Sequence, residues 1–445
     1  MLHILEELSS TSSRNDKIDI LKNLNSEDKK MFRKIAYLTY SPSVDFYIRE
    51  FDQSMTHEEC VTLSSALHDL ENVVAKRMIT GNMAKQWIEQ QYEMLSQDDA
   101  EVFKRIIKRD LRIGMNAKSI NKVFPETIYE HPYMRCSTFS EKSLKNISYP
   151  CYSQTKMDGL YCDIMVYPDR IEYRTRNGSY LNLNQKLFDA SLHLHAKNSV
   201  LMGECLALDE QGEIMPRSES NGYINSNSID VDRVVFYIWD AVSLEDFMNK
   251  KCITPYHERL NAVDHIIHNI HSDRLKMVDT EYCENQQDVM DHFRDKREEG
   301  EEGTIIKDSN GIWKPGTSKD QVKCKIVFEC EMKAVGYKEG TGKNEGKLGA
   351  ITFQSSDGLV EVSVGTGYKD SERETLWSDV ERMADEGWIA TIRANDVVSS
   401  ESREGIMSLF LPRFVEWRKD KSDADSKERI DEQVASFTNV LKMIK

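Results

Sequence analysis

The chain has 445 residues, and at about 150 residues per domain we expect about three domains. Hydrophobic residues make up 39% and charged residues 30%, which is typical of a globular protein. No apolar run approaches the ~18 residues that a membrane helix requires. The net charge of -16 argues against non-specific nucleic-acid binding over the whole surface. The nine cysteines contain no CxxC pair, which predicts reduced thiols, no zinc site and a cytoplasmic location.

Residues 1–130 are predicted to form an all-α domain, because glycine and proline are sparse and apolar residues recur at helical spacing. The clearest apolar stripe comprises Val102, Phe103, Ile106, Ile107 and Leu111. The same segment is basic, and its cations include Arg105, Arg109, Arg112 and Lys118. These cations predict either a nucleic-acid-binding surface or an ordinary solvated helix face.

Residues 131–328 change to short β-rich runs separated by longer helical stretches. Residues 234–242 (VVFYIWDAV) and 303–307 (GTIIK) are predicted strands, and residues 255–272 are predicted to be helical. This pattern indicates an α+β domain.

Residues 329–445 are predicted to form an all-β barrel of the oligonucleotide-binding (OB-fold) type with a C-terminal tail. Residues 331–338, 348–354 and 359–364 alternate with a period of two, and glycine-containing turns separate them. The glycines at 340, 342 and 346 lack the order of a phosphate-binding Walker motif, so they are interpreted as a barrel loop.

The sharpest chemical signal is Lys156-Met-Asp158-Gly159, which lies between two apolar β-like runs. A lysine acts as a nucleophile only when deprotonated, which requires desolvation or nearby cations. The glycine would let the backbone approach a bound phosphate. Considered alone, this short motif occurs often by chance, and an exposed turn explains it better than a catalytic site does.

An ordered set of further residues follows the lysine motif. Lys323 and Lys325 are one residue apart, so on a strand both point to one face. The other members are Arg176-Asn-Gly178, Gly203-Glu204, Trp239-Asp240, Glu302-Gly303, Lys307, Arg418 and Lys421. Each could be a surface charge or a core aromatic, but the ordered series favours one catalytic site.

With these motifs the chain resembles the nucleotidyltransferase superfamily, and within it the ATP-dependent DNA ligases, particularly those of T-even-like bacteriophages. The resemblance covers nearly the whole chain. It includes RDLRIGMNAKSINKVFP at 109–125, SNGYIN at 220–225 and LFLPRFVEWRKDK at 409–421. It implies a multidomain protein with an all-α DNA-binding domain (1–130), an α+β nucleotidyltransferase domain of ATP-grasp-like type (131–328) and an all-β OB-fold barrel (329–445).

The resemblance also implies a role for each matching residue. Lys156 would attack the α-phosphate of ATP, Gln154 would read the adenine amino group, and Trp239 would stack on adenine, with Phe236 as an alternative. The implied ATP-binding set comprises Gln154, Lys156, Asp158, Gly159, Arg176, Glu204, Trp239, Lys307, Lys323, Lys325, Arg418 and Lys421. The implied metal-binding residues are Glu204, which would also hold the ribose, and Glu302. The implied DNA-binding residues are Arg105, Arg109, Arg112, Lys118 and Arg176, of which Arg176 would hold the 5′-phosphate of a nick.

The implied reaction is nick sealing in duplex DNA with ATP as co-substrate and Mg²⁺ or Mn²⁺ as metal. The resemblance implies a monomer without membrane attachment, in the host cytoplasm if the chain is phage-encoded, with replication proteins as candidate partners. The alternatives are an RNA ligase, a capping-type nucleotidyltransferase, or a catalytically weakened nick-binding protein.

The sequence departs from the family pattern at Tyr161, where the family usually has arginine. The lost charge would have to be replaced by another cation near the phosphates. Arg174 and Arg176 are two residues apart in a β-like run, so both could face the site, and Arg174 is the predicted substitute.

Overall fold

The computed structural model describes residues 1–54, 57–183, 186–226, 229–325, 327–400 and 405–434. The predicted apolar tail beyond residue 434 therefore lies outside the described residues. Two compact units are present: Met1–His131 with Asn177–Tyr180, and Pro132–Arg176 with Leu181–Lys445. No helix in the described part of the chain is long and apolar enough to cross a bilayer.

The first unit is helical. Its helices are α1 (Leu2–Ser10), α2 (Arg14–Asn23), α3 (Ser26–Tyr40), α4 (Leu63–Asp69), α5 (Gly81–Met94), α6 (Gln97–Ile107) and α7 (Ala117–Asn121), with a π-helical segment at Leu70–Ala75. The N-terminus of α6 is capped by the Ser96 side chain, which accepts a hydrogen bond from the Asp99 backbone N–H at 3.3 Å. All five residues of the predicted apolar stripe are buried, so the stripe faces the core of the helical unit.

The second unit begins with two sheets built from the middle of the chain. Its strands are β1 (Met134–Thr138), β2 (Cys151–Thr155), β3 (Leu160–Val166), β4 (Ile171–Arg174), β5 (Tyr180–Leu181), β6 (Ser199–Ala207), β7 (Val234–Ser243), β8 (Leu275–Met277), β9 (Thr280–Cys283), β10 (Gly303–Asp308) and β11 (Gly316–Lys325). Its helices are α8 (Glu141–Leu144), α9 (Lys186–His195), α10 (Arg217–Ile224), α11 (Leu244–Met248), α12 (Tyr256–Ile270) and α13 (Gln286–Glu298).

Strand order explains how distant motifs reach one place. The five-stranded sheet has the order β1-β11-β10-β2-β9, and the six-stranded sheet has the order β5-β4-β3-β6-β7-β8. Strand β10 lies between β2 and β11, with Thr304 opposite Thr155 and Ile305 opposite Lys323. The lysine motif after β2, the glutamate before β10 and the lysines of β11 are therefore neighbours at one end of these three adjacent strands.

The C-terminal part contains the predicted β-rich structure. Its elements are β12 (Phe328–Glu339), β13 (Leu348–Gln354), β14 (Glu361–Val364), α14 (Arg373–Asp385), β15 (Ile389–Ala394), β16 (Asp396–Ser399), β17 (Met407–Phe410) and β18 (Arg413–Trp417). The main sheet has the order β14-β13-β12-β15-β18, and β16 pairs with β17. Helix α14, which packs on β12 and β13, is an addition to the predicted strands.

The boundary predicted at residues 130 and 131 lies close to the observed end of the helical unit at His131. The boundary predicted at 328 and 329 coincides with the start of β12, but both sides belong to one compact unit. The three-domain division therefore stays a prediction, while the helical N-terminal region and the sheet-rich remainder are observed.

Candidate active site

A cavity of about 530 Å³ opens among the strands of both sheets in the second unit. Most of the predicted ATP-binding residues line it: Gln154, Lys156, Asp158, Arg176, Glu204, Trp239, Lys307, Lys323 and Lys325. The predicted metal-binding residue Glu302 lines it as well. Strand alternation accounts for Lys323 and Lys325, which face the cavity together as predicted. We refer to this cavity as the cleft.

Lys156 lies at the end of β2, where its backbone N–H donates to the Gly303 carbonyl at 2.8 Å. Its ammonium group pairs with Glu302. Glu302 also pairs with Lys325, whose Nζ lies 3.5 Å from Oε1. Burial, and the neighbouring Lys156 and Lys323, lower the pKa of Lys325, whereas Glu302 opposes this shift. Two lysine ammonium groups therefore share the Glu302 carboxylate, and this local excess of positive charge suits a bound polyphosphate.

Glu204 lies on β6, across the cleft from the lysines. Burial raises its pKa to about 7, although Lys156 and Arg176 partly oppose the shift. Gly159 packs against this strand, because a Cβ at that position would lie 2.7 Å from the Cys205 carbonyl and 2.9 Å from the Glu204 Cγ. The glycine thus serves the packing of β6, a role different from the phosphate approach that the motif suggested.

Two carboxylates in the cleft, Glu204 and Glu302, could contribute to a divalent metal site. No cluster of three or more histidine, cysteine or acidic residues suited to a metal occurs among the described residues. Magnesium commonly binds one or two carboxylates and completes its coordination with water and substrate phosphates. The residues present fit such a substrate-assisted site, and they do not form an all-protein metal cage.

The end of the cleft at Gln154 contains an unsatisfied hydrogen-bond acceptor. Gln154 is 1% exposed, and its Nε2 donates to Thr280 Oγ1 at 3.0 Å. Its Oε1 is buried and has no hydrogen-bond partner among the described residues. Because buried polar atoms are nearly always paired, this oxygen is suited to accept a hydrogen bond from a ligand amino group.

An aromatic and a buried cation complete this end. Trp239 lines the cleft, and Lys307 Nζ donates to its carbonyl at 3.3 Å and to the Tyr256 hydroxyl at 3.2 Å. Burial lowers the pKa of Lys307 to about 8. The alternative stacking residue, Phe236, is buried in the core against Tyr173 and Phe188 and does not line the cleft.

Comparison with known proteins agrees with this geometry. Residues 134–325, which include every strand of the cleft, match the family model described as an ATP dependent DNA ligase domain. The chain therefore contains an ATP-dependent DNA ligase domain, and we refer to it below as the ligase. The ligase is 26% identical to the DNA ligases of Enterobacteria phages T4 and T6, over 97% of this chain and 98% of each relative.

Solved structures show the same fold. A structure named Pmar-Lig_Pre has a TM-score of 0.74 at 23% identity, and one named Pmar-Lig_PreS3 has a TM-score of 0.71 at 23% identity. Each alignment covers 94% of the ligase and 99% of the solved chain. The helical N-terminal region and the sheet-rich remainder therefore recur together in known structures.

Besides Gly159, two predicted nucleotide-binding residues of the ligase, Arg418 and Lys421, do not line the cleft. Arg418 pairs with Glu331 and, at 2.6 Å, with Asp420, while Lys421 lies 3.5 Å from Glu331. Both line a separate depression of about 470 Å³ beside Trp388. Neither residue lines the cleft in this conformation, because both pair with carboxylates of the C-terminal segment, so their predicted contact with ATP stays a prediction.

The predicted DNA-binding arginines of the helical unit have different surroundings. Arg105 pairs with Glu101 at 2.9 Å. Arg109 donates to the carbonyls of Ser41 and Val44, and burial lowers its pKa. Arg112 is partly exposed, and Lys118 is exposed. The guanidinium of Arg109 is therefore used in internal packing.

The geometric premise for Arg174 is wrong. Its guanidinium bonds to Glu172 at 2.8 Å, and it does not line the cleft. Strand β4 ends at Arg174, so the period of two that would have aligned it with Arg176 does not extend that far. Arg217, which was not predicted from the sequence, also lines the cleft beside Asp158. No local pattern indicates that contact.

Proposed function

We propose that the ligase seals nicks in duplex DNA through a covalent lysyl-AMP intermediate on Lys156. One observation carries the proposal: the Lys156 amine contacts Glu302 in a cleft that Lys323 and Lys325 also line. A nucleophilic amine, a proton acceptor in contact with it and two cations for phosphate are thus present together.

In the first step, the Lys156 nitrogen attacks the α-phosphorus of ATP. A phosphorus–nitrogen bond forms, the bond to pyrophosphate breaks, and Glu302 is placed to accept the lysine proton. Lys323 and Lys325 stabilise the negative charge that develops on the phosphates. A Mg²⁺ or Mn²⁺ ion, held by Glu204 and Glu302 directly or through water, would supply further charge neutralisation.

Base selection is proposed to depend on Gln154 and Trp239. The buried Oε1 of Gln154 would accept a hydrogen bond from the adenine amino group, and Trp239 would stack on the ring. Asp158, Gly159 and Lys307 would support the nucleotide site without bonding to the reacting atoms.

The second and third steps join the DNA. The 5′-phosphate of the nick displaces Lys156 from AMP, and the 3′-hydroxyl then attacks the activated 5′-phosphate and releases AMP. Arg176, which lines the cleft with its guanidinium 4.9 Å from the Tyr133 ring centre, would hold the 5′-phosphate. Arg418 and Lys421 could act on pyrophosphate only if the barrel reoriented and they released Glu331.

DNA affinity in the helical unit is proposed to come mainly from the exposed Lys118, with a contribution from the partly exposed Arg112. Arg105 and Arg109 pair with groups of the same unit. The ligase is further proposed to act as a monomer, with replication proteins as candidate partners.

A labelled-ATP assay followed by a nick-sealing gel tests the proposal. We expect an acid-stable protein adduct and sealing of a DNA nick in the presence of Mg²⁺. Duplexes with one RNA strand at the nick, run in parallel, measure strand preference. An adduct without sealing of any nick would contradict the ligase mechanism, and the absence of an adduct would contradict the lysyl-AMP step.

A further inference from the structure

Tyr161 occupies the cleft without supplying charge to it. Its hydroxyl donates to Asp163 Oδ1 at 2.7 Å, and the side chain is 5% exposed. Burial raises the pKa of Tyr161 well above its ordinary value. The hydroxyl is therefore neutral and engaged, so the charge that an arginine would bring must come from another residue.

Arg217 at the start of α10 brings a cation to the same cleft. Its Nη1 lies 2.6 Å from Oδ1 of Asp158, two residues from Lys156. The side chains of Arg217 and Asp158 are 42% and 36% exposed. The guanidinium also lies 5.7 Å from the ring centre of Phe410, within the range of a cation–π contact.

We propose that Arg217 is a phosphate-binding residue of the cleft that supplies the charge missing at Tyr161. The inference rests on the proposed function, because it assigns Arg217 to the substrates of that site. An exposed ion pair contributes little to stability, so Arg217 can exchange Asp158 for a phosphate at small cost. A guanidinium matches phosphate oxygens with two parallel hydrogen bonds, and charge-assisted bonds are stronger than neutral ones.

The ligand chemistry is a terminal phosphate group with more than one negative charge. Two sources fit: the β- and γ-phosphates of ATP, and the 5′-phosphate of a nick. Arg217 is held between Asp158 of the lysine motif and Phe410 of the barrel, so either source would meet it at the mouth of the cleft.

Equilibrium binding to the full chain tests the inference without depending on catalysis. The first arm compares a non-cleavable α,β-methylene analogue of ATP with AMP. The second arm compares a nicked duplex carrying a 5′-phosphate with one carrying a 5′-hydroxyl. Both arms are run on the wild type, on Arg217→Ala and Arg217→Lys, and on Arg170→Ala as a control, because Arg170 is exposed and pairs with Glu172 outside the cleft.

Arg217→Ala is expected to reduce the preference for the phosphorylated member by about tenfold in at least one arm. Arg217→Lys should recover part of that preference, and Arg170→Ala should retain all of it. The affected arm identifies the source of the phosphate. If Arg217→Ala leaves the preference for the phosphorylated ligand unchanged in both arms, the inference is overturned. It is also overturned if Arg217→Ala and Arg217→Lys lose this preference equally and both variants have lowered melting temperatures. Adduct formation by the wild type is scored separately, so failure of the proposed function remains distinguishable.

Discussion

Replacing Arg109 with alanine should destabilise the helical unit and leave the salt dependence of DNA binding unchanged. The Arg109 guanidinium donates to the Ser41 carbonyl at 2.8 Å and to the Val44 carbonyl. These two hydrogen bonds connect the segment that follows α6 to the segment that follows α3. Alanine leaves both carbonyls without this donor and removes a largely buried side chain.

The magnitude follows from the number of bonds. A hydrogen bond to a charged group contributes roughly 1.5–3 kcal/mol, and non-additivity keeps two of them below the simple sum, so we expect a loss of about 2–4 kcal/mol. For a unit of this size, that corresponds to a fall in melting temperature of about 10 °C. The neighbouring Lys108 is exposed, so Lys108→Ala is the matched control and should melt like the wild type.

Thermal unfolding and salt-dependent binding to nicked DNA are measured on the same preparations. Each phosphate contact contributes roughly one unit to the slope of log K against log salt. Lys118→Ala, which removes an exposed cation, should reduce that slope without changing the melting temperature. A normal melting temperature with a reduced slope for Arg109→Ala would refute the structural role and restore the DNA-contact prediction.

Two further predictions concern the nucleotide end of the cleft. Gln154→Leu should raise the ATP concentration required for half-maximal adduct formation by about tenfold, because the amino group of adenine loses its buried acceptor. Titration of the adduct yield with ATP measures this concentration, and an unchanged midpoint would contradict the prediction. Burial lowers the pKa of Lys307 to about 8 in the folded protein, against an ordinary value of 10.5. Between pH 8 and 10.5 the unfolded chain therefore binds more protons than the folded one, so the free energy of unfolding should rise with pH over this range, by about 3 kcal/mol. Denaturant unfolding at pH 7.5 and 10.5 should show this rise in the wild type and a smaller one in Lys307→Met, and equal pH dependence would count against the buried, depressed lysine.

Local periodicity predicted much of the cleft. The alternation at Lys323 and Lys325 and the β-rich run before Lys307 are properties of single strands, so their faces follow from the sequence. The resemblance supplied the order of the motifs, and the pairing of β10 with β2 and β11 brings Lys156 and Glu302 together.

The features that the sequence did not reveal depend mainly on tertiary contacts between segments far apart in the sequence. Arg217 and Asp158 are 59 residues apart, and no local pattern indicates their ion pair. The same holds for Arg109, whose partners precede it by more than 60 residues. Arg174 failed for a different reason, since the rule of alternation was extended beyond the last residue of β4.

Mass spectrometry of the protein after incubation with ATP and Mg²⁺ tests the central claim most directly. The wild type should gain the mass of one AMP group, and peptide mapping should locate it on Lys156. Lys197→Ala, which removes an exposed lysine outside the cleft, should gain the same adduct, and Lys156→Ala should gain none while retaining partial sealing of a pre-adenylated nick. An AMP adduct on Lys156→Ala, or on any other residue of the wild type, would contradict the assignment.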